Sequence, residues 1–402
     1  MDFSTIELDA EHQQLQTEVR AFIAEHLTPE VFAHELATGD NFNERVHRAM
    51  GERGWIMPHW PKERGGAGLD RLGLRILDVE FGKAKLPSVT LGTTRLISPA
   101  IEKYASPAIR DEVLAGIAGG SVRLCLGYTE PHGGSDIAGA RTRAVKDGSD
   151  WVINGSKMFT TGAHNSQYAF LITRTDPTLP KHKGLSMFLL PLETPGVEIQ
   201  GIRAFSGERT NMVFFDDVRI DEKYLLGEPN GGWTVLRGPL DEEHSIGDGN
   251  PDGLDEVSIG WMFLREVQDA IDGALDWAVT ARQDGTRPAD DPSVLERLGR
   301  IAIEAEAALV TPGPSGRVKG GETTVQIGSE LLDLLGYEAL VSMGQADALA
   351  GGQAEFVHRY AQGTVTYGGT VEVFRTIIAQ HELGLPRPNY PGSKVLPTTT
   401  SV

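Results

Sequence analysis

Cysteine is almost absent from this 402-residue chain, where Cys125 stands alone. No internal disulfide can form, and no cysteine-rich metal site can be assembled. Long apolar runs are missing too: none approaches the roughly 20 residues that span a bilayer. The stretch from Met1 to Arg20 is polar and amphipathic, without the basic start and apolar run of an export signal. Together these absences predict a cytoplasmic protein with no membrane span. Basic charge is short as well. The chain has 37 Lys and Arg against 56 Asp and Glu, a formal net charge of -19, which argues against a nucleic-acid partner, because phosphate neutralisation needs a concentrated cationic surface. Solubility is the plainest use of that charge.

Familiar chemical motifs are also lacking. No Gly-x-Gly-x-x-Gly follows a strand pattern, and no Walker-type loop occurs. The 11 histidines show no His-Glu-x-x-His spacing, which speaks against a zinc enzyme. The absent Gly-x-Ser-x-Gly elbow lowers a serine-hydrolase reading.

What is present is an ordinary globular composition, 40% apolar and 23% charged, in a chain long enough for two or three packed units. From Glu7 to about Ala118 the pattern is helical, with Leu15, Val19, Phe22 and Ile23 spaced for one buried face. The turn-rich residues 60–66 break it, and two or three further helices fit before Gly119-Gly120. Between Val122 and about Gly227, short β-rich runs follow at 151–153, 168–173, 185–190 and 212–215, separated by turn residues. Helical periodicity then returns almost to Leu385, with 247–253 and 311–316 reading as loops. The Pro- and Thr-rich tail from Pro386 predicts poor order. The expected fold is therefore α+β. An N-terminal helical domain (1–121) precedes a central antiparallel β-sandwich or barrel (122–230), and a C-terminal helical bundle (231–402) follows.

One string stands out, Thr129-Glu130-Pro131-His132-Gly133-Gly134-Ser135-Asp136. Its glycines let backbone N–H groups approach a ligand, and the Ser135 hydroxyl can donate to an oxyanion. A Gly-Gly-Ser-Asp loop by itself is more often a plain turn. The whole string, however, resembles the acyl-CoA dehydrogenase signature Thr/Ser-Glu-Pro-x-x-Gly-Ser-Asp. Asn154-Gly155-Ser156-Lys157-Met158-Phe159-Thr160-Thr161 is similar to the family's Asn-Gly-x-Lys-x-Trp/Phe-Ile-Thr run. Residues 213–218, 227–233, 366–370 and 383–387 resemble its later segments, so the likeness spans nearly the whole chain.

The resemblance implies a flavoenzyme with non-covalent FAD that desaturates an acyl-CoA to a trans-2-enoyl-CoA. It implies that Phe159 covers the flavin ring, Thr161 meets N5, Thr129 binds the pyrimidine end, and Gly134 and Ser135 meet the pyrophosphate. Arg282 and Thr370 fall at further FAD-contacting positions. Electron-transfer flavoprotein is the implied acceptor, and a homo- or hetero-oligomer the implied assembly. Similar bacterial members act on bulky acyl groups, steroid side chains included.

The base is where this chain departs. Many members carry glutamate in Tyr-Glu-Gly-Thr, and here Gly368 occupies that position. Other members place the glutamate on the first long helix of the C-terminal domain, and Glu243 aligns there. Glu242, its neighbour, points about 100° away on a helix. A Glu-Glu pair is more often solvated surface, but without Glu243 the chain has no base for the α-proton. Gly368 keeps a role through its backbone N–H, polarising the thioester carbonyl. His244 replaces the usual arginine, and the Gln-x-x-Gly-Gly segment has no clean match near 331–336. Two readings compete: a non-catalytic or half-site subunit of a heteromer, and an acyl-CoA oxidase.

Overall fold

The computed structural model describes residues 7–243 and 259–387, with backbone alone at 241–243 and 259–261. The expected loop at 247–253, His244 and the tail from 388 lie outside the described residues.

Six helices come first: α1 (Ala10–His26), α2 (Pro29–Thr38), α3 (Glu44–Glu52), α4 (Arg71–Lys83), α5 (Val89–Tyr104) and α6 (Pro107–Ala118). Polar caps start several of them. Asp9 accepts from the N–H of His12 ahead of α1, and Asp70 from that of Gly73 ahead of α4, each satisfying an N–H with no partner inside its helix. The break at 60–66 holds one short turn, Lys62–Arg64, closed by Gly65 at φ 81°.

Eight strands follow: β1 (Leu124–Gly127), β2 (Arg143–Asp147), β3 (Asp150–Lys157), β4 (Tyr168–Arg174), β5 (Leu185–Pro191), β6 (Val197–Arg203), β7 (Arg209–Asp221) and β8 (Leu225–Leu226). They form one sheet ordered β6-β7-β3-β2-β4-β5-β8, with β1 added beside β4. Most pairings are antiparallel, as expected, but β1 runs parallel to β4, and β2 touches β4 in parallel at Arg143 and Arg174. The four apolar runs all became strands. Four strands escaped the sequence reading: β1 and β8 are only four and two residues long, and β2 and β6 are mostly exposed or half-exposed, so they carry little apolar signal.

Strand alternation sorts the core. Phe170 and Ile172 of β4 join the core of the N-terminal helices. Ala169 and Leu171 face the other way, onto Trp151, Ile153, Val213 and Phe215, so β3 and β7 fold over the far face of β4. Both faces of β4 and β5 are thus buried, and whatever is built on their ends has a rigid support.

The chain ends in helices α7 (Gly232–Glu243), α8 (Ile259–Val279), α9 (Pro292–Leu309), α10 (Gly313–Leu335), α11 (Gln353–Thr364) and α12 (Val371–Ile377). α7 packs on α5 and β5, sending Val235 and Leu236 into the N-terminal core. The other helices have their own core around Val267, Ile301, Ile327, Leu331 and Val357. Two expectations need correction. The loop expected at 311–316 is shorter: a link does separate α9 from α10, but α10 begins at Gly313, and Pro314 sits in its first turn, where a missing N–H costs nothing. A break the periodicity did not suggest lies at 336–352, where Gly336, Gly344, Gly351 and Gly352 all take positive φ. Among the described residues no helix is long and apolar enough to cross a membrane.

Candidate active site

Strand β1 delivers the chain into the 128–136 loop, and one buried carboxylate shapes that loop. Glu130, 5% exposed, accepts from the backbone N–H groups of Arg141 at 2.8 Å and Thr142 at 2.9 Å. It also accepts from the Lys157 ammonium at 2.7 Å. Lys157 is fully buried and donates as well to the Tyr128 carbonyl at 3.2 Å. Burial alone would raise the Glu130 pKa, but Lys157 and the backbone donors outweigh it and hold the carboxyl below its ordinary value. Burial pushes the Lys157 ammonium down to about 8. The pair fastens the loop to the end of β3. Sequence reasoning assigned neither residue a role, although both motifs contain one member of the pair; an acid and a lysine in two adjoining motifs was the signal available.

On the loop, Gly133 has nothing within 4 Å of where a Cβ would stand, and a Cβ at Gly134 would first meet Thr129 Cγ2 at 3.4 Å. Neither glycine has a positive φ. Packing inside this chain therefore does not require them, whereas a ligand laid against the loop would. Ser135 lies exposed on the rim and Thr129 half-buried below it.

The turn after β3 lies alongside, joined by a bond from Met158 N–H to the Thr129 carbonyl at 2.9 Å. Here Phe159 takes φ 57° with its side chain 58% exposed. A bulky residue in that region is a genuine outlier, and such strain clusters at functional positions. Thr160 is held by paired bonds with Asn211, whose side chain is buried. The Thr161 hydroxyl lies 2.9 Å from that of Thr210 at the start of β7.

That hairpin leads to the C-terminal loop. Two residues before Thr210, Glu208 accepts from the Tyr367 hydroxyl at 3.2 Å. The phenol's pKa is pushed up to about 12, first by burial and then by the Glu208 charge. Gly368 and Gly369 follow at φ 55° and 93°, and Thr370 caps α12 by accepting from Val373 N–H at 3.3 Å. Tyr367, the residue before Gly368, is thus linked through Glu208 to the start of β7, where Thr210 meets the Thr161 turn.

Arg282 is not brought to this place. It is exposed beyond the C-terminal end of α8, while Phe263 near the start of that helix lies beside the Gly368 loop. Nineteen residues of mostly helical rise separate them by on the order of 28 Å. The backbone of Glu243 closes α7; its side chain and that of Glu242 lie outside the described residues. Beyond Gly139 opens a hollow of about 360 Å³ whose lining includes Arg141, Arg143, Arg174 and Lys181.

Comparison with known proteins bears on this arrangement directly. Residues 9–121 match the acyl-CoA dehydrogenase N-terminal domain, 125–218 the middle domain and 256–311 the C-terminal domain. Acyl-CoA dehydrogenase FadE26 of Mycobacterium tuberculosis is 30% identical over 410 residues, covering 94% of this chain and 98% of the relative. This chain belongs to the acyl-CoA dehydrogenase family. Among solved structures, the ChsE4-ChsE5 complex from Mycobacterium tuberculosis superposes with a TM-score of 0.81 at 29% identity, over 96% of this chain and 100% of that one. A structure titled Tcur3481-Tcur3483 steroid ACAD gives 0.79 at 28% identity, again over 96% and 100%. The protein is an acyl-CoA dehydrogenase, and its family are flavoproteins. The residues present fit such a group: an exposed aromatic on a left-handed turn, a glycine loop with open space at Gly133, and the hydroxyl-bearing residues Ser135 and Thr161 exposed with Thr129 half-buried.

Proposed function

We propose that this acyl-CoA dehydrogenase uses FAD to convert a bulky, steroid-type acyl-CoA to its trans-2-enoyl-CoA, with Glu243 as the base. The observation that carries the reading is the hairpin link from Thr161 through Thr210 and Glu208 to Tyr367, which joins the flavin-side turn to the Gly368 loop. In this reading Phe159 covers the ring and Thr161 meets N5. Thr129 binds the pyrimidine end, Gly134 and Ser135 the pyrophosphate, and Thr370 a further edge. Arg282, remote from the rest within one chain, reaches the cofactor of a neighbouring subunit.

Glu243 removes the pro-R α-proton. Burial against ligand raises its pKa and makes it a stronger base. The Gly368 N–H, aimed at the thioester carbonyl, stabilises the enolate-like charge that develops as the proton leaves. When bound, FAD supplies the acceptor for the hydride from C-β, and electron-transfer flavoprotein takes the electrons on. The anionic CoA nucleotide meets Arg141, Arg143, Arg174 and Lys181 at the hollow, local cations within an acidic protein. The bulky acyl class follows the steroid label of the similar solved structure.

Glu243→Gln tests the base. FAD content and binding of a substrate analogue should survive, while reductive bleaching by acyl-CoA slows by at least about a hundredfold. Glu242→Gln should stay within a few-fold of wild type, since adjacent positions on a helix are set about 100° apart. A wild-type rate in Glu243→Gln would move the base to another residue or chain. A second reading, a half-site subunit completed by another chain, draws on the distant Arg282 and on glycine at 368. Protein purified alone without a flavin spectrum would favour it.

A further inference from the structure

Arg317 stands in the first turns of α10 and is only 1% exposed. Its guanidinium lies between the rings of Phe263 at 4.9 Å and Phe374 at 5.3 Å. One nitrogen, Nη2, donates to the Tyr367 carbonyl at 2.6 Å and to the Gly369 carbonyl at 2.9 Å. These two carbonyls bracket Gly368. The helix makes room for the group with a glycine: a Cβ at Gly321 would stand 2.9 Å from Nη1 and 3.2 Å from the Thr364 carbonyl.

The consequence follows from peptide geometry. In a trans peptide the C=O and N–H point in opposite directions. The carbonyl of Tyr367 and the N–H of Gly368 belong to one peptide unit. With that carbonyl drawn onto Arg317, the Gly368 N–H must point away from α10. The Gly369 carbonyl likewise turns the Thr370 N–H outward. Neither N–H has an acceptor among the described residues. Positive φ at both glycines leaves this loop many alternatives when unheld, so something must select the one observed. A carbonyl that accepts a charged donor also polarises its own peptide, which makes the N–H on the other side a stronger donor.

We propose that Arg317 is a positioning residue for dehydrogenation: by holding the carbonyls on either side of Gly368 it aims and strengthens the Gly368 N–H toward the thioester oxygen. Arg317, closed off at 1% exposure, acts through the Tyr367–Gly368 peptide. The proposal rests on the reading that this N–H faces the thioester. A lysine could donate to both carbonyls but would lose the planar group's seat against the Phe263 and Phe374 rings, and with it a fixed donor position.

The test is an isotope-edited infrared spectrum of the holoprotein with a 3-thia-acyl-CoA labelled at the thioester carbonyl. Sulfur replaces C-β in this probe, so no hydride can leave. Wild-type protein should shift the carbonyl band to lower frequency. Arg317→Met should keep FAD and bind the probe but lose most of that shift. Bleaching by an oxidisable acyl-CoA at saturation should slow on the order of ten- to a hundredfold, less than deleting an oxyanion donor outright, while the half-saturating concentration stays within about threefold. Arg317→Lys should give an intermediate band, and Gly321→Ala a smaller loss in the same direction. A wild-type band in Arg317→Met overturns the role of Arg317 and leaves the Gly368 reading standing. No shift in the wild-type protein overturns the Gly368 reading and this proposal with it. Should Arg317→Met fail to fold, Arg317→Gln decides, since its shorter neutral side chain supplies no charged donor to the two carbonyls, and an undiminished shift there overturns the proposal.

Discussion

Lys157 and Arg317 are both cations buried to within 1% of full enclosure, and they are treated in opposite ways. Lys157 has a carboxylate of its own, Glu130 at 2.7 Å, and the pair locks one loop to one strand. Arg317 has two backbone carbonyls and two aromatic faces, with no ion pair among the described residues. Breaking a buried ion pair strands a charge, whereas removing an unpaired buried cation also removes its desolvation penalty. The first cation is therefore structural in its energetics. The second contributes less to stability and makes sense through what it holds, two carbonyls beside a residue whose N–H faces outward.

The largest effect should separate these two. Lys157→Met leaves Glu130 buried without its cation and should cost about 3–5 kcal/mol, seen as a lowered denaturation midpoint of the holoprotein. Arg317→Met should cost at most about 2 kcal/mol, because lost charged hydrogen bonds are offset by relieved desolvation. Equal losses would break the comparison.

A pH series sharpens it. The Glu130 carboxyl is held below its ordinary value of 4.5 when folded. A carboxyl with a depressed folded pKa contributes stability that is fully present above the unfolded value and lost as pH falls through the folded one. Below about pH 4.5 the wild-type midpoint should therefore drop, and Glu130→Gln should flatten that limb. Burial pushes Arg317 down to about 10. Between there and its higher ordinary value the unfolded chain binds more protons, so its contribution rises with pH and has no acid limb. Arg317→Met should keep the acid slope of wild type, and an acid slope flattened by Arg317→Met would contradict the assignment.

The smallest effects come from two glycines. Alanine at Gly134 meets only an ordinary contact with Thr129, so the melting midpoint of the flavin-free protein should stay within about 1 °C while flavin content falls; retained flavin would remove the close-approach argument. Alanine at Gly321 presses on Arg317 and the Thr364 carbonyl and should lower the midpoint by about 2–4 °C, the shift expected for roughly 1 kcal/mol in a sizeable domain, with flavin retained.

The order of helices, strands and helices was legible because the strongest signals were local. Apolar residues of α1 recur at helical spacing, and the runs in β4 and β5 are apolar on both faces since both are covered. β2 and β6 were not legible, because a strand held by register with its neighbours needs no apolar pattern of its own. Pro314 misled for the opposite reason: proline ends a helix in the interior but begins one in its first turn.

The site divides along the same line. Sequence alone determined the 129–136 and 154–161 motifs and the glycine at 368, since their residues are contiguous and their chemistry is written in residue type. Only the tertiary structure decided that Glu130 is tied to Lys157, that Thr210 and Glu208 join the Thr161 turn to Tyr367, and that an arginine 50 residues before Tyr367 grips the loop around Gly368. Those contacts pair residues far apart in the chain, and no spacing rule encodes them. They exist because packing brings a helix start, a hairpin and a glycine turn to one place, where most buried polar groups find a partner.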